Sequence, residues 1–371
     1  MTHPRQTQNP TLDLLRTGAA LMVLAVHAGQ AAGLGEQTRV GGQGVLLFFI
    51  LSGYLTMASL DRRPAPGRYY LGRVRRILPL YWLVVAVRWA LDAGLYLAGG
   101  MPAGAVFGPE GPCGPRYLRY LLFLQMWLPS DNWALWNNRS ALWTMSAFAF
   151  FYLLAPWLYR LLAGAGRRWR YGGTAAGFCL LAAVLAGKGM LGRALEQTLG
   201  RLPAGQVDNI SQFSAQNPVM ELYVFLYGAL LFFAVREGQA LAFGGFCLLL
   251  PLLTGFTRVA FEGVFAALVL LAVCLPCPLR PESRAGRALR FFSGGSFFLY
   301  LAHPLLLSLR PALPAGSAAG RWAACSLGKS SAGCPWCGGA GPLGCCCSTA
   351  AAGRCWPYEL AALRPGGGRH R

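Results

Sequence analysis

Residues 12–32 read LDLLRTGAALMVLAVHAGQAA, an apolar run that carries an arginine, Arg16, and a histidine, His27. The run is long enough for a helix across about 30 Å of hydrocarbon, which takes roughly 20 apolar residues. An ionisable side chain inside such a helix costs about 2.5–3.5 kcal/mol near the bilayer centre on insertion scales, so its presence calls for a reason. In helical geometry the eleven steps between the two residues separate them by about 16 Å along the axis and leave them within about 20° of one face. Arg16, near the start, is placed to snorkel. His27 sits deeper, and a neutral imidazole is the natural general base near neutral pH. A structural role is the alternative: a histidine bonded between helices, with Arg16 as an interface anchor.

Working outward, the same apolar character recurs. Runs near 12–32, 43–60, 78–98, 142–162, 172–191, 218–235, 239–256, 260–277 and 291–310 give nine candidate helices. Fifty-five per cent of the 371 residues are hydrophobic, 12% are charged and mean hydropathy is +0.43, which places the chain in the membrane class. The expected fold is an all-α, polytopic transmembrane bundle. The segment 117–128, YLRYLLFLQMWL, is too short to cross and reads as interfacial or re-entrant. The polar N-terminus and the lack of an A-x-A-like end to the first run argue against a cleaved signal peptide, so the first span is read as retained.

The formal net charge of +20 comes almost wholly from arginine, with Lys188 and Lys329 the only lysines. The arginines cluster between apolar runs rather than along a basic, aromatic stripe, which argues against nucleic-acid binding. The clusters Arg62–Arg76, Arg160–Arg170, Arg236 and Arg280–Arg290 follow the second, fourth, sixth and eighth candidate helices. All these exits lie on one side. By the positive-inside rule that side, with the N-terminus, is cytoplasmic. Two longer loops, 99–138 and 192–217, then face outward with Trp127, Trp133, Trp136, Asn137, Asp208 and Asn209. The sequons at Asn138 and Asn209 are read as chance. The chain divides into a cytoplasmic segment 1–11, a membrane domain 12–310 and a tail 311–371. The tail is rich in Gly, Ala, Arg and Cys, with the composition of frameshifted or disordered sequence. Seven of the twelve cysteines lie there. Cys334-Pro335-Trp336-Cys337 lacks the strand and helix of a redox motif, and the consecutive Cys345, Cys346 and Cys347 do not form separated zinc-ligand pairs. No metal site is expected.

Further residues share the polar character of the first pair. His303 lies in GGSFFLYLAHPLLLSL, about 18 Å up the ninth candidate helix, against about 22 Å for His27 in the first, so the two share a depth. Pro304 beside it frees a backbone carbonyl. In GGQGVLLFFILSGYLT, Ser52 and Gly53 occupy mid-helix, where glycine permits close helix approach and serine can bond across. Ser52 lacks the strand-to-helix elbow of a serine hydrolase. Arg73 and Arg76, in YYLGRVRRILPLYW, stand one turn apart just before the third run. That spacing suits either a phosphate-bearing ligand or a positive-inside anchor.

Six segments taken in order resemble the acyltransferase 3 family of integral membrane acyltransferases. They are LDLLRTGAALMVLAVHAG, GVLLFFILSGYL, RYYLGRVRRILPLYW, LWTMSAFAFFYLLAPWL, NPVMELYVFLYGALL and SFFLYLAHPLLL, over about residues 10–310. The resemblance implies a ten-helix protein of the cell membrane, of the bacterial cytoplasmic-membrane type. It implies transfer of an acyl group, often acetyl from acetyl-CoA, to a hydroxyl of a carbohydrate or other cell-envelope molecule, with acyl-CoA as donor substrate and no bound cofactor. His27 is then the catalytic histidine, and Arg16 helps position the donor or stabilises charge. Arg73 and Arg76 match the family's Arg-x-x-Arg, linked with the acyl-CoA phosphates. Ser52, Gly53, Trp143 and His303 are the further substrate-binding positions.

Two departures accompany the resemblance. Many members carry a glutamate shortly after the tryptophan that matches Trp143, whereas residues 144–150 here hold no carboxylate, leaving Glu221 as the mid-protein replacement. The tail also stands where a tenth helix is implied, an expected source of impairment. Other functional classes are a transporter with ionisable groups on its pathway, which inverted repeats would favour, and a non-catalytic sensor or assembly protein. No internal repeat is evident.

Overall fold

The second apolar run forms the hub of the bundle. Helix α2 (Gly44–Arg62) buries 13 of its 19 residues. Around it stand α1 (Pro10–Ala31), α4 (Trp143–Gly164), α5 (Pro218–Arg236) and α7 (Val259–Cys274). Helix α3 (Pro66–Ala98) packs on α4, α6 (Ala240–Leu253) pairs with α7, and α8 (Arg284–Ser308) reaches α1, α2 and α4 through side chains. The structure is a computed structural model that describes residues 9–31, 34–62, 65–109, 111–127, 142–172, 216–253, 259–275, 279–280 and 282–308. Among them no strand occurs. Four helical stretches, Pro10–Gln30, Val40–Arg62, Pro66–Ala98 and Trp143–Gly164, are long and apolar enough to cross a membrane. The candidate run 172–191 from residue 173, the loop 192–217 up to residue 215, residues 128–141 and the tail from 309 lie outside the described residues.

Local sequence sets several helix ends. Asn217 caps α5, its side chain accepting from Val219 N at 3.0 Å, and Pro218 occupies the first helical position, where no N–H is needed. Ser283 caps α8 through Gly286 N at 3.0 Å, and Pro66 opens α3. Two starts precede the apolar runs: α3 begins at Pro66 rather than near 78, and α8 at Arg284 rather than near 291. Both additions are arginine-rich turns, helical in backbone but invisible to a hydropathy scan. Among its described residues, the 117–128 segment has only the end of a 3-10 turn, Pro115–Tyr117, and the single helical turn Leu118–Leu121.

One end of the bundle is tied by polar contacts. The Asn9 amide donates to Ala272 O (2.8 Å) at the end of α7, and Ser293 of α8 donates to Asp13 (2.7 Å). Asp61, at the end of α2, receives Arg236 from the end of α5 (2.6 Å) and Tyr159 from α4 (2.7 Å). The start of α1 therefore lies beside the end of α7, and the ends of α2 and α5 lie together. At the opposite end the 99–127 segment folds back on α3. Tyr81 donates to Tyr120 O (2.7 Å), Trp89 to Cys113 O (3.0 Å), and Gln125 to Leu142 O (2.9 Å).

The dry centre is the crossing of α2 and α5. Gly53 faces the carbonyl oxygen of Phe225, and Gly228 faces that of Ile50, so that a Cβ at either position would drive into backbone. Beside it Phe225 stacks on Phe49 (4.4 Å) and Phe151 (4.3 Å), and Phe148 meets both Phe49 (5.1 Å) and Phe225 (5.4 Å) edge-on. Such pairs add about 0.5–1.5 kcal/mol each beyond area burial.

Candidate active site

The hub helix is not buried all round. Phe48, Ser52, Leu55 and Ser59, spaced 4, 3 and 4 residues apart, are only half-buried and form one stripe of α2. At Phe48 the stripe meets α8, where Tyr300 lies edge-on at 5.4 Å. Tyr300 in turn shares a 2.6 Å hydrogen bond with Thr144 of α4 and lies 6.0 Å from the His303 ring.

His303 is buried, and its ring centroid is 5.0 Å from that of His27 on α1, with the planes tilted by 33°. Two residues 276 positions apart, expected from helix rise to share a depth, are neighbours. Pro304 explains the orientation of His303. A proline at 304 supplies no N–H to the carbonyl four residues back, that of Tyr300. His303 Nδ1 takes that carbonyl at 2.7 Å. A carbonyl only accepts, so Nδ1 carries the proton and Nε2 presents a lone pair. Nε2 is buried and meets no hydrogen-bond partner among the described residues. An unsatisfied buried acceptor costs about 1–3 kcal/mol, a standing invitation to a donor. On the other side, the Gln30 side chain lies within hydrogen-bonding reach of His27.

About 16 Å along α1 lies a second polar cluster. Arg16 shares its electrostatic neighbourhood with Arg76, Asp13, Tyr152 and Arg73. Arg73 is held firmly: one guanidinium nitrogen donates to Thr56 Oγ1 (3.0 Å), and its plane lies 4.4 Å from the Tyr152 ring centroid and 5.3 Å from that of Tyr69. Arg76 is exposed. Other arginines have carboxylates: Arg88 with Asp92 (2.9 Å), Arg236 with Asp61 (2.6 Å), and Arg170 with Glu237. Among the described residues none of Arg16, Arg73 or Arg76 forms an ion pair, and Asp13 already accepts from Ser293. Three converging guanidinium groups with so little countercharge suit an anion carrying several charges.

The remaining expected residues divide between site and scaffold. Ser52 lies on the half-buried stripe. Gly53 faces away from it, into the α5 contact. Trp143 lies edge-on to Phe49 at 6.1 Å, and its neighbour Thr144 reaches Tyr300. In the stretch lacking a carboxylate, Phe148 belongs to the aromatic core. Glu221 is buried in the first turn of α5, and Glu262 of α7 accepts from Tyr223 at 2.5 Å. Reading the sequence missed Thr56, Thr144, Tyr152 and Tyr300. Tyr300, one turn before His303, was the most accessible of these. The described residues hold no group of three or more metal-ligating side chains.

A family model described as an acyltransferase domain, Acyl_transf_3, matches residues 9–316, most of the chain. The chain belongs to the acyltransferase 3 family. Among curated proteins it is similar to acyltransferase MdmB of Streptomyces mycarofaciens, 29% identical over 168 residues, covering 43% of this chain and 41% of the relative. It is also similar to Nodulation protein 10 of Rhizobium leguminosarum bv. viciae, 25% identical over 186 residues, covering 43% and 46%. The exopolysaccharide production protein ExoZ of Rhizobium meliloti is 38% identical over 72 residues, covering 19% and 22%. The matches thus span under half the length of these relatives. No solved structure matches the chain. Family membership and the four long apolar helices support a membrane acyltransferase.

Proposed function

We propose that the protein, embedded in the cell membrane with its N-terminus in the cytoplasm, transfers an acyl group, acetyl in the simplest case, from acyl-CoA to a hydroxyl of a carbohydrate or other cell-envelope molecule. The observation that carries the reading is the two-ended face of α1. Arginines that form no ion pair among the described residues stand at one end, and a histidine against a second histidine stands about 16 Å away. An extended donor fits that layout, its phosphates on Arg16, Arg73 and Arg76 and its thioester toward His27.

His27 takes the proton of the acceptor hydroxyl as the oxygen attacks the thioester carbonyl. The new ester C–O bond forms, the C–S bond breaks, and the proton passes to the departing thiolate. Positioned acid–base catalysis of this kind contributes about 10²–10⁴ in rate. Arg73, pinned by Thr56 and Tyr152, gives a fixed phosphate contact, while exposed Arg76 closes on the ligand. The name of the exopolysaccharide production protein ExoZ favours a saccharide-bearing acceptor.

The test is purified protein in lipid nanodiscs, given radiolabelled acetyl-CoA and a cell-envelope extract. Label is expected in an envelope fraction with wild type and not with His27→Ala. Transfer that survives His27→Ala overturns the site assignment, and absence of transfer to every fraction overturns the function.

A further inference from the structure

Pro304 leaves the Tyr300 carbonyl without its helical N–H, and His303 Nδ1 occupies it at 2.7 Å. That bond fixes which nitrogen of His303 holds the proton. Nε2 is left as a bare acceptor, buried, with no partner among the described residues and with the His27 ring 5.0 Å away between centroids. Tyr300 itself is anchored to Thr144 of α4 at 2.6 Å, so the carbonyl that orients His303 is held by a second helix. On its far side His27 has Gln30 within hydrogen-bonding reach, an acceptor for one ring N–H. In that arrangement His303 has its N–H engaged and a lone pair to spare, and the 5.0 Å between ring centroids leaves room for one proton between the two rings.

We infer that His27 and His303 act as one base that holds a single proton between them, His303 Nε2 being the second acceptor. The inference rests on the acyltransferase reading and deepens it. As the acceptor oxygen attacks the thioester carbonyl, its proton moves to His27, whose ring then carries two N–H groups. One remains with Gln30 and the other is shared with His303 Nε2. When the C–S bond breaks, the shared proton leaves for the CoA thiolate, and both rings return to neutral. No oxidant, reductant or metal enters. Two interacting bases titrate as a pair rather than separately.

The test combines kinetics with ¹⁵N-histidine NMR of the full chain in nanodiscs. In wild type the signals of both rings are expected to move with one common midpoint on titration. In His303→Gln, which keeps an acceptor but cannot share the proton, the His27 midpoint is expected to shift. The same variant is expected to lose about 100-fold in kcat while KM for acetyl-CoA stays within about twofold. Pro304→Ala restores the N–H to the Tyr300 carbonyl and is expected to mix the His303 tautomers and lower kcat in part. Two independent midpoints in wild type, an unshifted His27 midpoint in His303→Gln, or kcat retained within about twofold overturns the pair. Wild type that titrates as a pair yet transfers no acyl group overturns the acyltransferase reading and supports the shared proton.

Discussion

The two long faces of α2 are built on opposite rules. Toward α5 the helix presents Gly53, Ile50 and Phe49, packed backbone to backbone and ring on ring. Its other face carries the half-buried stripe Phe48, Ser52, Leu55 and Ser59, which meets Tyr300 of α8 at Phe48, beside the histidine pair, while neighbouring Thr56 takes Arg73 of α3. The first face holds the helices together and the second leaves polar groups waiting for a ligand. In lipid, where apolar surface alone does not drive helices together, small residues and close packing supply the cohesion. The polar face then carries unsatisfied groups that the dry face must support.

Substitutions separate the two faces most clearly where they are largest. Gly228→Leu places a side chain against the Ile50 carbonyl and is expected to abolish recoverable monodisperse protein, judged by size-exclusion chromatography in detergent. Phe151→Ala removes a ring stacked at 4.3 Å on Phe225 and is expected to destabilise by about 3–5 kcal/mol, read as a lower thermal midpoint with residual activity below that midpoint. His27→Ala is expected to do the reverse: activity falls about 10²–10⁴-fold while the thermal midpoint stays close to wild type. A matching loss of stability would place His27 among the scaffold residues. Arg76→Ala is expected to raise KM for acyl-CoA about tenfold or more, from loss of a charge-assisted contact, with the effect shrinking at high salt. The smallest effect is expected for Asp61→Asn. Its pair with Arg236 is partly exposed, with side chains 25% and 38% accessible, and such pairs contribute about 0–1 kcal/mol.

Helix positions were the most legible part of the sequence, because a membrane span is a property of one segment. The run 12–32 became Pro10–Ala31 and 142–162 became Trp143–Gly164. The early starts of α3 and α8 were not legible, since arginine-rich turns form a helix without raising hydropathy. For the site, spacing alone put Arg16 and His27 on one face and gave His303 a matching depth. It gave no way to see Tyr152 under Arg73, or to tell that Gly53 faces α5 while Ser52, its neighbour, lies on the open stripe.

The sequence by itself therefore determined the positions of helices such as Pro10–Ala31 and Trp143–Gly164 and the one-residue logic by which Pro304 frees a carbonyl for His303. These are local matters of hydropathy and backbone bonding. Only the tertiary structure decided which polar residues meet: His27 with His303, Thr144 with Tyr300, and Arg73 with Thr56 and Tyr152. Helix rise fixes depth along an axis, but rotation about that axis is settled by close packing between helices. Here that packing is the fit of Gly53 and Gly228 against opposing backbone.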